Sequence, residues 1–208
     1  TQTQDDKHRE IARSTVGTVN NQGVIVTSRA GVGDKEGENG LIFMRADGNV
    51  IETQYKRFLI PAGEYVPYVF HIILIASGNS TVVSQHEGSK TITAAGRPEQ
   101  PVMIDGVRYG SLACSGAIAP EFYRNLTRVG AEVLTNSASL SSMGIDKLYF
   151  EQAKQMARFQ AVANARPFVQ SARGGESYII DKDGRFVAET QSDITQYIEA
   201  SVFSNAFR

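Results

Sequence analysis

A layered α/β domain with mixed sheets is the fold class this sequence predicts, and two observations carry the prediction. Helical stretches alternate with short strands through the second half of the chain. Three Asp-Gly pairs, at 47–48, 105–106 and 183–184, also lie between apolar runs, where tight hairpins belong. The 208 residues suit one compact domain or slightly more, with no internal repeat and no low-complexity linker.

Residues 5–19 come first, as a surface helix: Ile11, Thr15, Val16 and Val19 recur among charges, and Asn20-Asn21-Gln22-Gly23 supplies a stop. Residues 24–26 read as a short buried strand and 29–39 as a glycine-rich charged loop. Runs 41–44 and 50–51 are the arms of the first hairpin, and the second arm leads into Tyr55-Lys56-Arg57. Residues 77–100 are polar loop with one strand at 91–93. The second hairpin joins 102–104 to 107–114 and leaves Cys114 at the carboxyl end of a strand. A helix with Pro120 near its first turn then runs to about residue 129. Strand 132–135, a serine-rich loop over 137–142 and a helix over 147–165 follow. The apolar stripe of that helix is Leu148, Ala153, Met156, Phe159 or Gln160, and Ala163, and Arg166-Pro167 ends it. Strands 168–171 and 177–180 precede the third hairpin, whose far arm is 186–188. Arg166 and Arg173-Gly174-Gly175 read as structural, a helix end followed by a turn that needs glycine. The tail, 193–208, fits a short amphipathic helix or a strand.

Composition removes several functions. Lys+Arg number 21 against Asp+Glu 22, a formal net charge of -1, so no basic field exists to hold a phosphate backbone and nucleic acid is not an expected partner. One cysteine, Cys114, and three histidines, His8, His71 and His86, have no ligand-like spacing, so neither a metal nor another cofactor is expected. A lone cysteine forms no intrachain disulfide and is silent on redox compartment. The chain opens at Thr1 on a polar run that is neither signal peptide nor membrane span, and an upstream part is expected to have been removed. The apolar run 69–76 is too short to cross a bilayer, which takes about 20 residues.

Two clusters could carry chemistry. Cys114 lies at a strand end before a sharp turn and a helix, where a nucleophile can be exposed beside backbone N–H donors. A single cysteine among small apolar residues equally suits plain packing, and no histidine motif supplies it with a dyad partner. The second cluster is 55–67, YKRFLIPAGEYVP, a rigid loop with two prolines that carries Lys56 near one end and Glu64 near the other. Such charges are ordinarily solvated; a lysine held cationic at a strand end can instead stabilise an oxyanion.

Together these clusters resemble the carbon–nitrogen hydrolase (nitrilase) superfamily, and within it the apolipoprotein N-acyltransferases most closely. YKRFLIPAGEYVPY is similar to that family's Y-x-K-x-x-L-V-P-F-G-E-Y-V-P segment, with Lys56 at the catalytic lysine and Glu64 at the supporting glutamate. GVRYGSLACSGAIAPEF matches I-C-Y-E-x-x-F-P-E at Cys114, Pro120 and Glu121. Residues 136–144 have the length of the family's N-x-S-N-D-x-W-F-G loop, and QMARFQAVANARPFVQSARGGESYIIDKDGR follows its next block almost without a gap.

The resemblance implies an α-β-β-α sandwich with a Glu-Lys-Cys triad: Cys114 as nucleophile, Lys56 as oxyanion stabiliser, and Glu64 orienting Lys56 and assisting proton transfer. By the family's spacing the general-base glutamate precedes Thr1; Asp5, Asp6 and Glu10 are no substitutes, because acidic residues there favour a helix start. Residues 1–208 then form a single domain truncated at its N-terminus. The implied donor is a membrane phospholipid and the acceptor a lipoprotein's N-terminal amine, on the extracytoplasmic side of a bacterial cell membrane. The run 69–76 falls where the acyltransferases carry an arm that touches the bilayer, although a short buried helix fits it as well. Two departures stand out. Ser115-Gly116 replaces Tyr-Glu after the nucleophile, and Ser139-Leu140-Ser141-Ser142-Met143 replaces the Asn-Asp-x-Trp-Phe stretch in a chain without tryptophan. A soluble, cytoplasmic amidase or nitrilase-type hydrolase is therefore a competing reading. A non-catalytic domain is another, and it predicts a buried, unreactive Cys114. The oligomeric state stays open.

Overall fold

The computed structural model describes residues 24–30, 39–45, 49–59, 68–78, 98–140, 147–191 and 196–203. Strands β1 (Val24–Ala30), β2 (Asn39–Arg45) and β3 (Val50–Tyr55) form an antiparallel sheet in chain order. The apolar run of β2 accounts for its central place: Leu41, Ile42, Phe43 and Met44 are all buried, so both faces of the strand are covered. A second sheet runs β4 (Val102–Ile104), β5 (Val107–Ala113), β6 (Val133–Ser139), β7 (Phe168–Arg173), β8 (Tyr178–Ile180) and β9 (Phe186–Glu189). Its β5-β6-β7 centre is parallel and its flanks are antiparallel. Helix α1 (Tyr68–Ala76) lies between the sheets in sequence, and α2 (Pro120–Arg128) and α3 (Lys147–Asn164) make the two parallel crossovers.

Strand alternation sorts the residues of the second sheet into two cores. Leu41 and Phe43 pack on Val102 and Ile104, with Val26, Ile51, Tyr109 and Ala113 around them, which joins sheet to sheet. Leu112, Leu134, Phe168 and Ile180 instead meet Tyr123 and Leu126 of α2 and Ala157 and Ala161 of α3. Each large side chain so buried contributes about 1.5–3 kcal/mol. The described layers are thus sheet, sheet and helix pair, as the sandwich reading requires.

The Asp105-Gly106 hairpin has φ +47° and +86°, the mirror-image turn whose twist suits antiparallel strands. In the third hairpin the Asp181 carboxylate accepts the N–H groups of Asp183 and Arg185, both at 2.9 Å. Helix α3 closes with Ala165 at φ +49°, and the Arg166 N–H donates to Ala161 O at 3.0 Å. A left-handed cap costs alanine about 1 kcal/mol relative to glycine. Exposed Ala165 has no packing to lose, so Ala165→Gly is expected to raise the melting temperature by about 2–4 °C. An equal or lower midpoint in thermal denaturation would contradict this.

Several expectations need correction. Strand β1 runs to Ala30 and pairs with Asn39 and Gly40, and β6 runs through serines to Ser139. Ladder bonds use backbone groups, so polar residues extend a strand wherever neighbours on its edges supply partners. The core stripe of α3 is Phe150, Ala157, Gln160, Ala161 and Asn164; Leu148 and Phe159 are 67% and 54% exposed. Small and amide side chains lie on the sheet side because they let the helix come close. Helix α1 forms but is not a buried helix, since Ile72, Ile73 and Ile75 are 51–54% exposed. Among the described residues no helix is long and apolar enough to cross a membrane. Residues 196–203 form neither helix nor strand, and Arg173 closes β7 rather than a helix, with Gly174 turning at φ +70°. The expected helix 5–19, strand 91–93, turn 47–48 and most of the loops 29–39 and 77–100 lie outside the described residues.

Candidate active site

Lys56 follows the last residue of β3 and is 8% exposed, unusual for a lysine. Its neighbours in sequence are anchored one by one. Gln54 Nε2 donates to Gln100 O. Arg57 Nη1 lies 3.4 Å from Glu99 Oε2, and its guanidinium carbon lies 5.6 Å from the centre of the Phe122 ring. The Phe58 ring meets the same Phe122 edge-on at 6.0 Å. The Glu99 side chain is itself only 8% exposed. Burial pushes its carboxyl above the usual glutamate range, against the opposing pull of its backbone hydrogen bond and of Arg57.

Strand β5 carries Cys114 to the site. The cysteine opens a 3₁₀ turn (Cys114–Ile118) at φ +47°, a left-handed conformation that costs a non-glycine residue about 1–3 kcal/mol. Partners from several elements hold the turn in place. Asn136 Nδ2, midway along β6, donates to Cys114 O at 3.2 Å and to Gln170 Oε1 at 3.2 Å. Gln160 Nε2 of α3 donates to Ala117 O at 3.3 Å. Ser115 Oγ donates to Phe58 O at 3.1 Å, a direct link from the cysteine turn to the lysine segment. Cys114 is only partly buried and packs on Ala138, Leu140 and Phe150 beside Tyr149, whose hydroxyl is pushed up in pKa by burial and by the Cys114 charge.

The lysine segment and residues around the cysteine turn line one narrow cleft. Its lining includes Lys56, Arg57 and Glu99, together with Ser111 and Ala113 of β5 and Gly116 of the 3₁₀ turn. It encloses about 20 Å³, room for about one water molecule. The fold therefore brings the buried lysine to the residues on either side of the cysteine, at the carboxyl end of a parallel strand, where α/β sheets place their sites.

Of the residues expected from sequence, Lys56 lines this cleft and Cys114 stands between two of its lining residues, Ala113 and Gly116, without lining it itself, while Glu64 lies outside the described residues. Three other residues escaped the sequence reading. Glu99 sits in a polar stretch where a glutamate reads as solvated; Asn136 was visible only as the start of a loop; Tyr149 is one of many aromatics. The departure at 116 has a steric basis, because a Cβ there would stand 2.5 Å from Leu112 Cβ. Among the described residues no three His, Cys, Asp or Glu side chains gather as a metal site requires.

A family model of carbon-nitrogen hydrolases matches residues 18–206. An apolipoprotein N-acyltransferase of Rhizobium rhizogenes is 27% identical over 166 residues, covering 79% of this chain and 30% of that protein. The chain thus spans under a third of the length of that relative. Among solved structures, a carbon-nitrogen hydrolase from Helicobacter pylori G27 superposes with a TM-score of 0.63 at 17% identity, over 88% of this chain and 61% of the other. A mutant of the amidase from Nesterenkonia sp. AN1 superposes with a TM-score of 0.59 at 16% identity, over 90% and 64%. In that structure acrylamide has added to the active-site cysteine. With nearly the whole chain matched in sequence, and the sheets and crossovers superposing on these structures, the chain belongs to the carbon-nitrogen hydrolase family.

Proposed function

We propose that this chain is the catalytic part of an apolipoprotein-type N-acyltransferase, which moves an acyl chain from a phospholipid to a lipoprotein's N-terminal amine through a thioester on Cys114. The observation that carries the reading is the pairing of two segments. A part-exposed cysteine in a left-handed turn and a buried lysine at the end of β3 are joined by the Ser115 Oγ bond to Phe58 O. Similarity to apolipoprotein N-acyltransferases supports the transfer branch, as do the exposed isoleucines of α1, a surface suited to a bilayer on the extracytoplasmic side.

The chemistry runs in two halves. A carboxylate base takes the Cys114 thiol proton, and the sulfur attacks the ester carbonyl of the phospholipid. The Lys56 ammonium, with the first N–H groups of the 3₁₀ turn, stabilises the tetrahedral oxyanion. Collapse breaks the C–O bond, and the departing lysophospholipid oxygen recovers the proton from the base. The acceptor amine then attacks the thioester, the C–S bond breaks, and the amine's surplus proton returns to the thiolate. Glu64 orients Lys56 and assists these transfers.

A second reading, a soluble amidase, is favoured by the structural similarity to the Nesterenkonia enzyme and by the missing loop aromatics. The partial exposure of Cys114 speaks against the non-catalytic reading, which predicts a buried thiol.

The test uses the full-length protein and a p-nitrophenyl acyl ester. Intact mass is expected to show one acyl group on Cys114 in the wild type and none in Cys114→Ala. Acyl transfer from phospholipid vesicles to a lipopeptide amine is expected to fall about 10³-fold or more in the same variant. Unchanged transfer by Cys114→Ala overturns the reading. Ammonia release from short amides, without transfer to an amine, would favour the amidase.

A further inference from the structure

Glu99 has no part in the steps above, yet it is a carboxylate withdrawn from water in the wall of the Lys56 cleft. Burying such a group is unfavourable unless a partner compensates it. Its partner is Arg57, the residue after Lys56, and Arg57 is fixed on its other side by the Phe122 ring of α2. Phe58 then packs on the same ring, and its carbonyl receives the Ser115 hydroxyl from the nucleophile turn. One ion pair, one ring and one hydrogen bond therefore hold two consecutive residues, Arg57 and Phe58, directly after Lys56, against α2 and the turn that begins at Cys114. The ion pair also reaches across to the segment that leads into β4, which the Gln54 Nε2 bond to Gln100 O joins from within β3.

We propose that Glu99 is a positioning residue: through its ion pair with Arg57 it fixes the end of β3, and so Lys56, against the cysteine turn. This rests on the acylation chemistry proposed for Cys114 and Lys56. Among the described residues the charged group against Glu99 is Arg57, at 3.4 Å, and Lys56 lines the same cleft. Protonating Glu99 removes the pair's charge and loosens the anchor. Because burial raises its pKa, that loosening begins at a higher pH than for an ordinary glutamate.

The test measures the rate of Cys114 acylation by p-nitrophenyl acetate in the full-length protein, from the nitrophenolate burst and the intact mass. Glu99→Gln is expected to acylate about ten-fold more slowly while remaining folded by circular dichroism, and to lose one acid limb of the pH–rate profile. Arg57→Leu approaches the pair from its more exposed side and is expected to give a similar loss, with the double variant no slower than either single. In a Lys56→Met background Glu99→Gln is expected to have no further effect, which a merely structural role would not produce. A wild-type rate in Glu99→Gln overturns the inference. So does a ten-fold deficit that persists undiminished without Lys56. If Glu99→Gln fails to fold, Arg57→Leu decides by the same two criteria. No adduct on wild-type Cys114 would instead overturn the acylation reading, and the inference with it.

Discussion

Replacing Lys56 by methionine is expected to slow Cys114 acylation by about 10²–10³-fold, the loss typical when one preorganised oxyanion donor is removed. Methionine keeps the length and the buried stem of the side chain, so the cleft stays filled and only the ammonium is lost. Thermal stability is expected to hold to within about 1.5 kcal/mol, because the substitution conserves volume in the cleft. The burst rate of nitrophenolate release and a melting curve on the same sample separate the two effects. If acylation proceeds at the wild-type rate, Lys56 is not the oxyanion group. If rate and melting temperature fall together, its role is structural.

Gly116→Glu, which restores the residue the family carries after its aromatic, is expected to unfold or severely destabilise the protein. An ideal Cβ at 116 would lie 2.5 Å from Leu112 Cβ and 3.2 Å from its Cδ1. Leu112 is locked in the core with Tyr123, Leu134 and Phe168, and its Cβ is not the movable end of a flexible chain. Gly116→Ala isolates this overlap and is expected to cost about 1–3 kcal/mol. The glutamate adds a carboxylate in a buried turn, for a total beyond about 4 kcal/mol. Urea or thermal denaturation reads both; a wild-type midpoint for Gly116→Glu would mean that position 116 is open. The glycine is therefore part of how this β5 end packs, and the absent carboxylate is a consequence of that packing.

Local chemistry made much of the site legible. Strand followed by turn followed by proline-capped helix is written in the order of residues 107–120, and it is this order that leaves Cys114 at a strand end. The rigid, proline-bearing loop likewise marked Lys56. What was not legible depends on distance in space. Glu99 belongs to the site only because the segment ahead of β4 lies beside the end of β3, 42 residues earlier in the chain. Asn136 matters because parallel pairing sets it opposite Leu112 in β5 and Gln170 in β7, and so within reach of Cys114 O.

The α3 helix shows the same division from the fold's side. Its 3.6-residue periodicity was plain, and Gln160 of the expected stripe is buried, but two of its large apolar residues, Leu148 and Phe159, prove exposed. Close approach to a sheet selects for small side chains, so Ala157 and Ala161 are buried where Leu148 and Phe159 are not. By itself the sequence determined the family, the hairpins, the order of most of the described helices and strands, and the places of the cysteine and the lysine at strand ends, because each depends on neighbours in the chain. Only the tertiary structure decided which faces are buried, why residue 116 is glycine, and that a buried glutamate pairs with the residue after the lysine, because steric overlap and desolvation exist only between segments that folding has brought together.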